Sequence, residues 1–70
     1  MTIEEARAIR EAFLEARRAK FATETRETFL AACDVEDAAI AAWRGVPEAL
    51  AEVIREEDMA QAMREWEASR

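Results

Sequence analysis

The sequence has no histidine and no tyrosine, and its 70 residues include one cysteine, one serine, one glycine and one proline. Each scarcity excludes a class of chemistry. Without histidine, no Ser/His or Cys/His nucleophile–base pair can be assembled. One cysteine and no histidine leave the usual zinc sites without ligands, and the Glu-x-x-His motif of di-iron bundles is absent. The single glycine, Gly45, cannot build a phosphate-cradling loop, and there is no closely spaced Asp/Asn cluster with a glycine turn for calcium. Carboxylates alone remain for catalysis. Sixteen acids in a helical chain always include close pairs, so such a pair carries no signal. The expectation is a non-enzymatic protein without catalytic residues, metal or cofactor.

Other absences bear on location. The lone Cys33 permits no intrachain disulfide, which points to the reducing cytoplasm, and its apolar surroundings predict a small buried hydrophobe. The opening MTIEEARAIR lacks the apolar stretch of a signal peptide. The longest uncharged runs, 28–33 and 38–43, hold six residues each. A membrane span needs about 20.

What the chain does have is acid, arginine and alanine. The net charge of −6 argues against nucleic acid and anionic membranes and favours a partner with a basic surface. Seventeen of the hydrophobic residues are alanine, which buries little area. A single helical domain over 1–70 would therefore have a core near the lower limit for a monomer. Self-association, as a homodimer, or a partner is a natural remedy.

Only Gly45 and Pro47 interrupt helical periodicity strongly, so the chain reads as all-α: a small bundle of four to five helices containing a helix-turn-helix-like hairpin. Thr2 and Glu5 form a capping box for a first helix reaching about Ala22, with Ile3, Ala6, Ile9, Phe13, Leu14, Ala16 and Phe21 on one face. Arg10 and Arg17 fall within that apolar arc. Either their stems snorkel past the core or they meet carboxylates across an interface. Thr25 caps a second helix over 26–32 that buries Phe29 and Leu30, although helices 1 and 2 could form one bent rod. Asp34 caps a third over 35–44, with Val35, Ala39, Ile40 and Trp43 inward. Gly45 ends it, and Pro47 opens a fourth that buries Leu50, Val53 and Ile54. The apolar phase then shifts to Met59, Met63 and Trp66. This predicts a break near Glu57 and a fifth helix from Met59 to about Ala68. The alternative is one long helix with two apolar faces, which implies two partners.

Residues 29–47 resemble the helix-turn-helix of phage repressor/Cro-type regulators. Leu30, Ala31 and Ala32 match the apolar-small pair of the first helix, and Asp34 and Val35 match the turn and the apolar residue after it. Ile40 and Trp43 match the second helix, and Gly45-Val46-Pro47 its end. The resemblance implies a small DNA-binding regulator. The positions that would read DNA, however, hold Glu36, Asp37, Ala38, Ala41 and Ala42, and only Arg44 is basic there. Two carboxylates aimed at a phosphate backbone are repulsive. The other basic residues, Arg7, Arg10, Arg17, Arg18, Lys20 and Arg26, are interleaved with acids.

Glu48, Glu52 and Glu56 form an acidic stripe extended by Glu57 and Asp58, and Glu4, Glu11 and Glu15 form another. Acids one helical turn apart recur every ~6 Å, near the spacing of phosphates on a strand. In size, acidity and helicity the chain is similar to small phage-encoded inhibitors such as anti-CRISPR proteins, which occupy DNA-binding grooves. Two functions remain open. The first is an interaction protein, of phage or other mobile-element origin, that binds and inhibits a basic protein partner through Glu36, Asp37, Glu48, Glu52, Glu56, Glu57 and Asp58. The second is a DNA regulator with a diverged helix-turn-helix.

Overall fold

The ends of the helices fall at the capping residues. In the computed structural model, which describes residues 1–70, there are three: α1 (Ile3–Phe21), α2 (Arg26–Arg44) and α3 (Glu48–Ala68). Thr2 Oγ1 accepts the Glu5 amide at 3.1 Å and starts α1. Thr25 starts α2 through a reciprocal box with Thr28, whose hydroxyl does the work that Glu or Gln does in the commoner version. Gly45 closes α2 by donating to the Ala42 carbonyl, and Pro47 sits at the N-cap of α3. No helix is long and apolar enough to cross a membrane.

The all-helical class stands, but the four to five helices are three. Asp34 does not cap a helix; it lies in the middle of α2. No glycine or proline separates Arg26 from Arg44. A break there would leave up to four amides and four carbonyls without helical partners, whereas an aspartate in a helix interior costs only about 0.7 kcal/mol relative to alanine. The turn expected at Cys33–Asp34 is therefore not formed, and residues 29–44 belong to one continuous helix. The same reasoning holds near Glu57. Glu, Met, Ala and Gln are good helix formers, and α3 runs unbroken to Ala68. The shift in apolar phase marks two faces of one helix, the alternative reading of the sequence. Helices 1 and 2 are separate, as expected, joined by residues 22–25.

α1 and α2 form an antiparallel hairpin, and α3 returns along α1 only. No Cα of α3 comes within 8 Å of one in α2. The core lies where α1, the α2–α3 connection and the start of α3 meet. Ala6 has no exposed surface and Ile54 is 2% exposed; Val46 and Ala51 complete the buried cluster. Ile3, Ile9, Trp43 and Leu50 flank it. The alanines at 6 and 51 let α1 and α3 approach closely enough to enclose Ile54.

Little else is buried. Phe21, Phe29, Leu30, Val35 and Val53, all expected inward, are exposed, Val35 at 60% and Phe21 at 76%. Cys33 is only partly covered. The reason is that α2 has a neighbour on one side alone, so an apolar arc wider than one helix contact cannot be hidden. The molecule extends 37 × 37 × 14 Å with a radius of gyration of 14.3 Å. A compact 70-residue chain has about 11 Å. Its accessible surface, 5394 Å², exceeds by about 900 Å² the value of about 4,450 Å² expected for a folded monomer of 8.0 kDa.

If Ile54 holds α3 in place, Ile54→Ala will remove most of the fold's stability. Such truncations cost about 2–5 kcal/mol in packed cores, as much as a core this small supplies. Thermal unfolding followed by circular dichroism will show a collapsed or lost transition. Val53→Ala, one residue away on the exposed side, will stay within about 0.5 kcal/mol of the parent.

Candidate interaction surface

The carboxylates singled out by sequence do not form one patch. Four of the seven are engaged within the chain. Glu36, on the α1-facing side of α2, is buried and accepts a hydrogen bond from Lys20 Nζ at 3.1 Å. This pair is the ionic tie between the hairpin helices. The Lys20 ammonium also lies 5.7 Å from the Phe21 ring centre and 5.8 Å from that of Phe29, so two exposed aromatics gather around it. Glu36 therefore faces α1, with its carboxylate on Lys20.

Glu57 and Asp58 face α1. Arg7 grips Glu57 with a fork: Nε donates to Oε1 at 3.2 Å and Nη2 to Oε2 at 2.8 Å. One turn further along α1, Arg10 Nε donates to Asp58 at 3.0 Å. The Arg10 guanidinium also lies over the rings of Phe13 and Trp43, at 5.3 and 4.9 Å. Arg10 therefore meets a carboxylate within its own chain, while Arg17 lies over Phe13 at 5.6 Å. These two arginines clamp the middle of α3 to α1 beyond the Ala6–Ile54 contact. Between them opens a cleft lined by Arg7, Arg10, Glu57, Asp58, Gln61 and Arg64, in which charges of both signs alternate. No three metal-ligating side chains converge anywhere in the fold.

Glu48 pairs with Arg55 along α3. Asp37, Glu52 and Glu56 make no ion pair. At 100° per residue, Glu48, Glu52 and Glu56 share a face with Met59, Met63 and Trp66, roughly opposite Ile54, and Arg70, just past the end of α3, joins it by stacking on Trp66. Nothing covers this face. Met59 is 65% exposed, Met63 49% and Trp66 55%. The Arg70 guanidinium lies 4.6 Å from the centre of the Trp66 ring. The outer side of α3 is thus acidic in its first half, apolar in its second and basic at its far end. A second open strip, on α2, is uncharged and small: Ala31, Val35, Ala38 and Ala42.

The Arg7–Glu57 and Arg10–Asp58 ties escaped sequence reasoning because their partners are about fifty positions apart, and no local spacing rule connects them. The Lys20–Glu36 pair escaped it because Glu36 was assigned to the start of a separate helix. The composite face of α3 was legible in part, as the phase shift after Ile54.

The hydrogen bond from Arg7 holds the Glu57 carboxyl below its ordinary value, against the raising effect of partial burial, and the charge of Arg7 adds to the lowering. A carboxylate with a lowered pKa in the folded state lends stability that is present above the ordinary value of about 4.3 and is lost as pH falls through the folded value. The Arg7–Glu57 half of the clamp will therefore loosen as pH falls through the lowered Glu57 value. A carboxyl-carbon NMR titration will place the Glu57 midpoint below the ordinary one and return it there in Arg7→Gln. An identical midpoint in both proteins would show that the clamp is absent in solution.

Compared with protein-family models, with curated proteins and with solved structures, the chain matches none.

Proposed function

We propose that this chain is a non-enzymatic, acidic interaction protein that works as a homodimer and binds a protein partner carrying a basic surface, inhibiting it by occupying that surface. The observation that carries this reading is the incomplete packing of the single chain. The chain leaves about 900 Å² more surface in water than its mass requires, close to the ~800 Å² that each partner hides in a standard interface. An apolar helix face must be buried against something, and here the chain itself supplies no such element.

Charge selects the kind of partner. The net charge is −6, and Asp37, Glu52 and Glu56 retain free carboxylates while Glu36, Glu57, Asp58 and Glu48 spend theirs internally. Free acids on the helix surfaces, Asp37 on α2 and Glu52 on α3, repel phosphate and attract arginine and lysine, so a groove built for nucleic acid is a fitting target. Small inhibitors encoded by phage and other mobile elements work in this way, and that origin suits the size and acidity of the chain.

The competing reading, a DNA-binding regulator, rests on residues 29–47. It gains no support from an unbroken α2 in which Glu36 turns inward to Lys20 and Asp37 faces solvent without a counter-charge. Titration with duplex DNA between about 50 and 200 mM salt separates the two readings. No mobility shift is expected. Tight binding that weakens steeply with salt would overturn the proposal in favour of the regulator. Affinity capture from a bacterial lysate will recover a protein with a basic surface, and the Asp37→Lys/Glu52→Lys variant will lose it.

A further inference from the structure

We infer that the second half of α3 is a self-association seam, in which residues 56–68 of two copies pack antiparallel about a two-fold axis near Met63. This deepens the homodimer reading above and rests on it. Met59, Met63 and Trp66 of each copy fill the seam, and Glu56 of one copy lies opposite Arg70 of the other.

The face is geometrically suited to this role. At 100° per residue the three side chains fall within about 60° of one another and about 150° from Ile54. They can therefore meet a partner while Ile54 stays against Ala6. The spacing Glu56-Met59-Met63-Trp66 alternates three and four residues, the seam spacing of paired helices. Thirteen helical residues give a contact about 20 Å long. Methionine adapts to an uneven partner surface, and tryptophan is among the residues that carry most interface energy.

Charge identifies the occupant as a second copy. Read along α3, the outer face passes from Glu48, Glu52 and Glu56 through the apolar stretch to Arg70. A stripe acidic at one end, apolar in the middle and basic at the other complements itself only when reversed. A parallel pair would set Glu52 and Glu56 against their own copies. An antiparallel pair centred on Met63 sets Glu56, which has no ion partner within the chain, beside Arg70. The stacking of Arg70 on Trp66 at 4.6 Å already holds the guanidinium on this face. Such a contact is closed, because both copies use the same patch, and it stops at two. The alanine strip on α2 offers less area per residue and no charge to set a register.

The test is sedimentation equilibrium across a dilution series. The parent chain is expected to dimerise, and Met63→Glu to weaken the dimer by about 30-fold or more, the effect of losing a central anchor. Glu56→Arg and Arg70→Glu, whose side chains make no contact with the core, will each weaken it about 10-fold, and the double variant will return to within about 3-fold of the parent. That rescue distinguishes a seam contact from a loss of folding. If the parent dimer survives Met63→Glu but is broken by Val35→Glu on α2, or if the double charge variant is no better than the singles, the seam is wrong and the homodimer stands. If the parent chain is monomeric at every concentration, both fall.

Discussion

Ala6 is the one residue with no exposed surface, and the placement of all three helices depends on its having no side chain beyond the Cβ. α1 meets α3 there, with Ala6 and Ile54 in one buried cluster. Val46, just past the end of α2, closes the same pocket from the connection, so the turn through Gly45 and Pro47 is fixed by the contact it leads into. The ion pairs act after this packing. Arg7 and Arg10 reach Glu57 and Asp58 only because Ile54 has already brought the two helices together, and exposed pairs of this kind contribute modestly on their own. A larger residue at position 6 would push α3 outward and undo both.

From this constraint follows the open shape. A contact centred on Ala6, near the start of α1, anchors the first half of α3 and leaves the rest to extend past the clamp. α2 rests on α1, tied by the buried Glu36–Lys20 pair, and none of its Cα atoms comes within 8 Å of one in α3. Three helices that share one central member cannot bury three apolar arcs. The consequence is Val35, Leu30, Phe29, Met59, Met63 and Trp66 in solvent.

The parts of this fold legible in the sequence are those decided locally. Thr2 and Thr25 start helices because their hydroxyls satisfy free amides within three residues, and Gly45 and Pro47 mark a boundary that no long-range contact could erase. Ile54, Leu50 and Trp43 were recognisable as core because their spacing matches a helix face. Asp34 misled because a good capping residue signals a helix start only where the helix is otherwise obliged to stop, and cooperativity carried α2 through it. Phe29 and Val35 misled because apolar periodicity records what a helix can bury without saying whether a neighbour arrives. The candidate surface divides the same way. The stripe of Glu48, Glu52 and Glu56 was visible from its spacing. The loss of Glu36, Glu57 and Asp58 to internal partners depends on Lys20, Arg7 and Arg10, which the tertiary fold alone brings near.

We propose that one copy of this chain is an incomplete folding unit, finished by association. The most direct test is thermal unfolding followed by circular dichroism over a hundredfold range of protein concentration, with molar mass measured on the same samples. Folding coupled to association requires the midpoint to rise with concentration and the folded species to have twice the 8.0 kDa of the chain. A folded species of 8.0 kDa whose midpoint does not move with concentration would contradict the account.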